Sequence, residues 1–241
     1  MRARVIALTV LMLIAVVGSQ ALTKPATKKN PPVIPPTANY NGASFAEWNV
    51  RWWQWCFGLP LQGHPLYDGP ASAGQSGQVW FLGAIVWPSD QTPPPGPYKR
   101  TIKVPSGTAL LFPILNGELN FAEVPSATSV EELRAMLDDF FGCLTEDNMY
   151  ATVDGAAVEN ILAYRAITEE FTLDVPDGSI LEDQGYVTGA CEIYPVVGDG
   201  YYLIVPPMSV GTHKITFGAK VGTWTLDVEY TVNVLPAGKE K

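Results

Sequence analysis

The chain has 241 residues, of which 47% are hydrophobic and 16% are charged, and its formal net charge at pH 7 is −9. This balance excludes nucleic acid as a principal partner, because phosphate binding relies on clustered Lys and Arg that an acidic chain lacks. The acidic charge otherwise indicates only a soluble surface.

Residues 1–21 have the pattern of an export signal. Two arginines precede an apolar run over residues 5–17, and Ser19 and Ala21 are small residues that suit cleavage by signal peptidase. The apolar run is shorter than the roughly 20 residues that a transmembrane helix needs, so we expect no membrane span after cleavage. The pattern predicts a secreted, periplasmic or cell-surface protein.

Three further segments follow the signal. Residues 22–38 are rich in Pro and Lys, a composition that predicts an extended, disordered spacer. Residues 39–236 then have the length of a single domain, which is expected to bury about 70% of the surface of its unfolded chain. Residues 237–241 form a short tail.

Residues 44–58 carry a complete helix pattern. Ser44 and Glu47 have the spacing of a capping box, and Gly58 is expected to end the helix in a left-handed turn. Between them Trp48 and Trp52 lie on one face together with other apolar residues at three- and four-residue steps.

This aromatic face has two interpretations. The regular helical spacing favours a core on which the rest of the domain packs, since each tryptophan can bury roughly 200 Å². The alternative is a platform on which sugars or other planar ligands stack, and for that role Trp53 is the candidate.

The first strands are predicted after this helix. Residues 78–87 have the β-branched and aromatic content of a buried strand. Residues 99–104 alternate as a half-buried strand does, and residues 108–115 predict a central strand. Pro113 lacks a backbone N–H and therefore predicts a bulge or a strand end.

The remainder predicts one more helix and then only strands. Ser129 and Glu132 repeat the capping-box spacing, and Gly142 ends that helix. After Met149, short apolar segments alternate with Gly, Pro and Asp turns, and one of the predicted strands covers residues 163–167. The fold class is therefore predicted to be mainly β, an antiparallel β-sandwich of jelly-roll or immunoglobulin-like type with two packed α-helices.

The chain has three cysteines, which in an exported protein predict one disulfide and one free thiol. Cys56 falls within the aromatic helix, so the predicted pair is Cys143 with Cys191. With only two histidines elsewhere in the chain, a zinc site of Cys and His is not indicated, and the sequence predicts neither a metal nor a cofactor.

Polar side chains follow the predicted central strand. Asn116, Glu118 and Asn120 are spaced two residues apart, so they would project to one side if the strand continues. Glu118 is a candidate catalytic acid or base, and the two amides are candidate ligand-binding residues. The alternative is an ordinary exposed loop.

The loops nearby supply further candidates. Asp68 and His64 precede the strands, and Glu123 follows them; each could converge on Glu118. Gln75 is a candidate ligand-binding residue in a Gly-Gln-Ser-Gly-Gln segment. That segment resembles the Gly-x-Ser-x-Gly nucleophile elbow of serine hydrolases but does not make Ser76 a nucleophile. The motif needs glycine at its fifth position and a strand before the turn.

The chain resembles a family of exported bacterial proteins without an assigned activity. The resemblance rests on Glu47-Trp48 with Trp52-Trp53-Gln54-Trp55, His64-Pro65-Leu66 with Asp68, Gly74-Gln75-Ser76-Gly77 with Val79-Trp80-Phe81-Leu82, and Val104-Pro105 with Phe112-Pro113-Ile114 and Asn116. It implies one compact exported domain. Members of that family often carry extra cysteines that this chain lacks, so their disulfides do not carry over.

Two functions are consistent with these patterns. A non-catalytic secreted or envelope-associated binding domain, with a glycan as a possible ligand, is favoured because β-sandwiches commonly serve recognition. The alternative is a glycan-directed hydrolase in which Glu118 forms a carboxylate pair with Asp68 or Glu123.

Overall fold

The computed structural model describes residues 31–92 and 94–237. The predicted export signal, residues 22–30 of the predicted spacer and residues 238–241 lie outside the described residues. The described part of the spacer contacts the core, because the Ile34 N–H donates a hydrogen bond of 2.9 Å to the carbonyl of Ile204. Contacts with the core therefore begin ahead of the predicted domain start at residue 39.

Nine strands and three α-helices form the regular structure of the described chain. The helices are α1 (Phe45–Phe57), α2 (Val130–Phe141) and α3 (Ile180–Asp183). The strands are β1 (Val79–Phe81), β2 (Tyr98–Pro105), β3 (Ala109–Asn120), β4 (Met149–Val153), β5 (Ala156–Ala157), β6 (Phe171–Val175), β7 (Cys191–Val205), β8 (Gly211–Val221) and β9 (Trp224–Leu235). Across residues 31–92 and 94–237, no helix has the length and apolar character needed to cross a bilayer.

The strands form two mixed sheets, so the fold is mainly β but the prediction of purely antiparallel sheets is wrong. The strand orders are β1-β3-β7-β6 and β2-β9-β8-β4-β5. Strand β1 pairs parallel with β3, and β2 pairs parallel with β9; the remaining pairs are antiparallel. Strands β1 and β2 are both edge strands, and each runs in the same direction as the single strand with which it pairs.

The core lies between the two sheets and beneath the helices. Phe112 of β3 stacks on Phe217 of β8, with ring centroids 4.6 Å apart. Helix α1 packs against β6 and β7, and α2 packs against β3 and β7. The tryptophans of α1 are buried, which confirms that its aromatic face belongs to the core.

Helix α1 begins as predicted and ends by a different device. The Ser44 N–H donates to Glu47 Oε2 at 2.7 Å, and the Glu47 N–H donates to Ser44 Oγ at 3.3 Å, which completes the capping box. Gly58 is not left-handed, since its φ is −78°. Its N–H donates to the carbonyl of Gln54, and a Cβ there would collide with the same oxygen. Glycine is needed at residue 58 because its backbone closely approaches the Gln54 carbonyl, and not because φ is positive.

The other helices follow the same local rule. Ser129 caps α2 by accepting the Glu132 N–H, as predicted, although the Glu132 carboxylate turns to the N–H of Thr128. Helix α3 was not predicted, and its signal is again a capping pair, because Ser179 Oγ accepts the N–H of Glu182 at 3.2 Å.

Two predicted strands are replaced by other structure. Only Val79–Phe81 of the predicted strand over residues 78–87 is β. Beyond it the Tyr230 hydroxyl donates to the carbonyl of Gly83 at 2.7 Å, so a side chain satisfies the backbone in place of a neighbouring strand. The predicted strand over residues 163–167 begins instead within the 3-10 helix Ile161–Tyr164, and only a single bridge joins Arg165 to Tyr201. The bulge expected at Pro113 is confirmed by a register shift in the pairing of β3 with β7.

The predicted disulfide between Cys143 and Cys191 is wrong, because all three cysteines are free thiols. Cys143 follows α2, whose last turn is held by a hydrogen bond of 2.9 Å from the Tyr201 hydroxyl to the carbonyl of Phe141. Cys191 is ten residues from Tyr201 at the start of β7. At about 3.3 Å per residue this separation is roughly 30 Å, and a disulfide requires Cα atoms within about 7 Å.

The burial of the thiols predicts their order of alkylation. Cys143 is exposed, Cys191 is half-buried, and Cys56 is buried in α1, where burial also raises the pKa of its thiol. Since the thiolate is the reactive form, we expect iodoacetamide to label Cys143 first, Cys191 more slowly and Cys56 only after unfolding. Time-resolved peptide mapping tests this, and a cross-linked peptide pair before reduction would contradict it.

Candidate functional site

The polar residues at the end of β3 share the face of the sheet that carries α1. Asn116 donates its amide to the Tyr202 hydroxyl at 2.9 Å, and that hydroxyl donates to Asn49 Oδ1 of α1 at 2.7 Å. Asn49 in turn donates to the carbonyl of Ala166. The opposite face at Gly117 is covered by α2. Asn116 is therefore one member of a satisfied buried network that attaches α1 to the sheet.

Glu118 and Glu123 form a carboxyl pair bridged by Asn120. The Asn120 amide donates to Glu123 Oε2 at 2.6 Å and contacts Glu118 Oε2 at 3.4 Å. Asn120 Oδ1 accepts the backbone N–H groups of Ala122 and Glu123 and so shapes the turn that returns Glu123 to the strand end. Of the predicted partners of Glu118, the structure brings Glu123 to it.

The pKa values of both carboxyl groups are raised. Burial raises the pKa of Glu118 well above its usual range, and the neighbouring charge of Glu123 raises it further. Burial also raises the pKa of Glu123, to about 7, although the hydrogen bond from Glu118 partly lowers it. Two close carboxyl groups in low dielectric cannot both ionise readily, so the pair favours a protonated form.

This geometry does not match that of a glycosidase. The carboxyl groups of such enzymes are separated by about 5–9.5 Å so that a sugar or a water fits between them. The Asn120 amide instead bridges Glu118 and Glu123, and Glu118 is only 7% exposed. The raised pKa values make the stability of the fold depend on pH. A substrate has no room between the two groups, because the Asn120 amide contacts both of them.

His64 and Asp68 lie together in the loop after α1 and serve that loop. The Leu66 N–H donates to His64 Nδ1 at 3.1 Å, so Nε2 carries the proton and donates to the carbonyl of Cys56 at 3.0 Å. Burial lowers the pKa of His64, which keeps the ring neutral. Asp68 Oδ1 accepts the N–H of Gly63 at 2.8 Å. Both predicted catalytic side chains have backbone partners.

Gln75 and Trp53 are also occupied by the fold. Gln75 pairs with Phe81 as a neighbouring strand would, because its Oε1 accepts the Phe81 N–H at 2.9 Å and its Nε2 donates to the Phe81 carbonyl at 2.8 Å. Trp53 is buried and its ring lies against the backbone of Gly198. Both polar atoms of the Gln75 side chain are used by the backbone, and Trp53 is buried, although its Nε1 has no hydrogen-bond partner among the described residues.

A groove lies on the outer side of α1, facing the turn that leads into β1. We call it the α1 groove; its volume is about 720 Å³ and its lining includes Trp48, Arg51, Trp55, Ser76, Gln78 and Phe81. The aromatic rings form its floor, with the centroids of Trp55 and Phe81 5.4 Å apart. The volume falls within the range of about 300–1,000 Å³ that is usual for ligand sites.

Arg51 and Gln78 of the α1 groove were missed as candidates. Arg51 was predictable as an exposed residue one turn after Trp48 on the helix, at the i+3 position. Gln78 was included in a predicted strand, whereas the structure places it in the turn before β1 and exposes it.

Metal binding has no geometric support in the part of the chain that the structure describes. No group of three or more His, Cys, Asp or Glu side chains there could hold a metal ion. A second groove of about 470 Å³ includes Asp68, Glu182 and Asp183. Each of these carboxylates accepts a backbone N–H, from Gly63, Gly178 and Ser89 respectively.

No protein-family model and no curated protein sequence matches this chain. The function is therefore inferred from the chain's own residues. Among the described residues, the α1 groove combines an accessible volume with an exposed arginine that forms no ion pair or hydrogen bond.

Proposed function

We propose that this chain is a secreted or envelope-associated binding domain that holds a glycan in the α1 groove. The observation that carries the proposal is the composition of the groove, in which an aromatic floor is combined with a polar rim. Sugars present apolar C–H faces and many hydroxyl groups, so they are bound by ring stacking together with hydrogen bonds from polar side chains.

The rim can supply those hydrogen bonds. Ser76 and Gln78 are exposed, and neither side chain has a hydrogen-bond partner within residues 31–92 and 94–237. Gln54 extends from α1 to the carbonyl of Thr172 at 3.1 Å, which fixes the far end of the rim. A ligand laid over Phe81, the half-buried aromatic residue of the floor, would meet polar atoms on the opposite wall.

The proposed location agrees with two further features. The pattern of residues 1–21 is that of an export signal, and the resemblance to exported bacterial proteins has the same implication. The stacking of Phe112 on Phe217 between the sheets supports a sandwich of jelly-roll or immunoglobulin-like type, an architecture common among recognition domains.

A glycan array with the purified mature protein tests the binding proposal. Ser76→Trp fills the α1 groove and is expected to abolish binding, and Gln78→Ala is expected to weaken it about fivefold or more through the loss of a hydrogen bond. Ser72→Trp is the matched control, because Ser72 is exposed in the same loop but does not line the groove. Binding that survives Ser76→Trp, or no binding to any glycan, would contradict the proposal.

The hydrolase alternative is tested with the same protein. We expect no turnover of a panel of glycosidic and ester substrates, because Glu118 is buried and the Asn120 amide bridges it to Glu123. Turnover that is abolished by Glu118→Gln would replace the binding proposal by the enzymatic one.

A further inference from the structure

We infer that the α1 groove selects a sugar that carries a carboxylate, such as a uronic acid unit, and that Arg51 binds the carboxylate. This inference rests on the proposed function and names the class of glycan that the groove takes. It is supported by the charge of the lining and by the position and free donors of Arg51.

The charge of the groove is opposite to that of the protein. The chain has a formal net charge of −9, yet among the described residues that line the α1 groove Arg51 is the only charged one. With no carboxylate in the lining to neutralise it, Arg51 gives the groove a local positive charge. That charge disfavours a cationic ligand and favours an anionic one.

Arg51 is held in place without using its hydrogen-bond donors. Its Cζ lies 4.5 Å from the centroid of the Trp48 ring, an arrangement that orients the guanidinium by cation–π stacking. The nearest acidic side chain on the helix, Glu47, is occupied by the N–H and Oγ of Ser44. Within residues 31–92 and 94–237 Arg51 forms neither an ion pair nor a hydrogen bond, so its planar fork is free.

The indole N–H of Trp55 is buried below the surface of the groove. Trp55 is 7% exposed, and its Nε1 has no hydrogen-bond partner in the described part of the chain. Gly74 also lines the groove, and a Cβ there would lie 3.1 Å from this Nε1. Gly74 therefore covers this N–H, and the Arg51 guanidinium is the donor that a ligand in the groove can reach.

The free donors fit a carboxylate better than a hydroxyl. A guanidinium presents two parallel N–H groups that match the two oxygens of a carboxylate, and such charge-assisted pairs are about twice as strong as neutral hydrogen bonds. A neutral sugar would leave the charge of Arg51 uncompensated beneath the ligand. The aromatic floor then holds the ring of the sugar, while Arg51 distinguishes its acidic substituent.

The experiment is isothermal titration calorimetry with a panel of oligouronates and their methyl esters. We expect at least one oligouronate to bind about tenfold or more tightly than its ester, because esterification removes a charge-assisted interaction. Arg51→Gln is expected to abolish that difference, because it weakens the binding of the oligouronate about tenfold. Lys103→Gln is the matched control, since it removes the same charge from an exposed residue outside the groove.

The outcomes separate this inference from the proposed function. Equal binding of acid and ester, or an acid preference that survives Arg51→Gln, overturns the inference and leaves glycan binding intact. Tighter binding of sulfated sugars than of uronates overturns the assignment of carboxylate. Absence of binding to any glycan overturns the proposed function and the inference together. Thermal unfolding of Arg51→Gln at the wild-type temperature verifies that the fold is retained.

Discussion

Arg165→Ala is expected to lower the free energy of unfolding by about 3–5 kcal/mol, because it leaves a buried carboxylate without its counter-charge. The Arg165 guanidinium donates from Nε to Asp199 Oδ1 at 3.0 Å and from a terminal nitrogen to Asp199 Oδ2 at 2.6 Å. The Asp199 side chain is 3% exposed, and burial raises its pKa even with Arg165 in place. Urea unfolding at pH 7 measures the loss.

The neighbouring carboxylates supply the controls. Arg165 also contacts Asp138 at 2.7 Å, but the Asp138 side chain is 69% exposed, so Asp138→Ala is expected to cost less than about 1 kcal/mol. Adding Asp199→Asn to Arg165→Ala is expected to recover part of the loss, since the second change removes the uncompensated charge. Equal losses for Asp138→Ala and Arg165→Ala would contradict this account.

The stability of the wild-type protein is expected to fall as the pH rises above about 4.5, because of the Glu118–Glu123 pair. Both carboxyl groups have a higher pKa in the folded protein than in the unfolded chain, so the folded state binds more protons over this range and is favoured at low pH. A pKa that rises from 4.5 to about 7 on folding, as for Glu123, corresponds to on the order of 3 kcal/mol at 1.36 kcal/mol per pKa unit.

Glu118→Gln is expected to remove the larger part of this pH dependence. The glutamine amide can still donate to the Glu123 carboxylate but has no proton to lose, so the variant should be more stable than the wild type at pH 8 and similar to it near pH 4.5. Urea unfolding between pH 4.5 and 8 measures both curves. Glu192→Gln, at an exposed position of β7, controls for the loss of one acid; parallel curves for Glu118→Gln and wild type would refute the assignment.

The positions of the candidate residues were predictable where neighbours in sequence are also neighbours in space. Asn116, Glu118 and Asn120 lie on one β-strand, so their common face follows from its two-residue period. Glu123 reaches Glu118 because Asn120 shapes the intervening turn. The roles of His64 and Asp68 were not predictable, since their partners are backbone groups of a loop whose path depends on tertiary packing.

The missed residues belong to surfaces that exist only after folding. Arg51 becomes distinctive because it stacks on Trp48 in a groove whose opposite wall comes from residues 74–78. In the sequence it is one exposed helix residue among several. The predicted disulfide failed for a related reason, because a count of cysteines contains no distances.

The sequence by itself determined the features that depend on interactions within about four residues. The capping pairs place the starts of α1 and α2, the helical period buries the aromatic face of α1, and Pro113 marks the bulge in β3. These features are local because a hydrogen bond to the next turn, or a missing N–H, acts wherever the segment lies in the fold.

Only the tertiary structure decided how the strands pair and which polar groups remain free. Contacts between distant segments decide the parallel pairing of β1 with β3 and of β2 with β9. They also decide the surroundings of the Glu118–Glu123 pair and the open donors of Arg51. Such contacts are selected by the total free energy of packing. That energy is a property of the whole chain and cannot be read from any one segment.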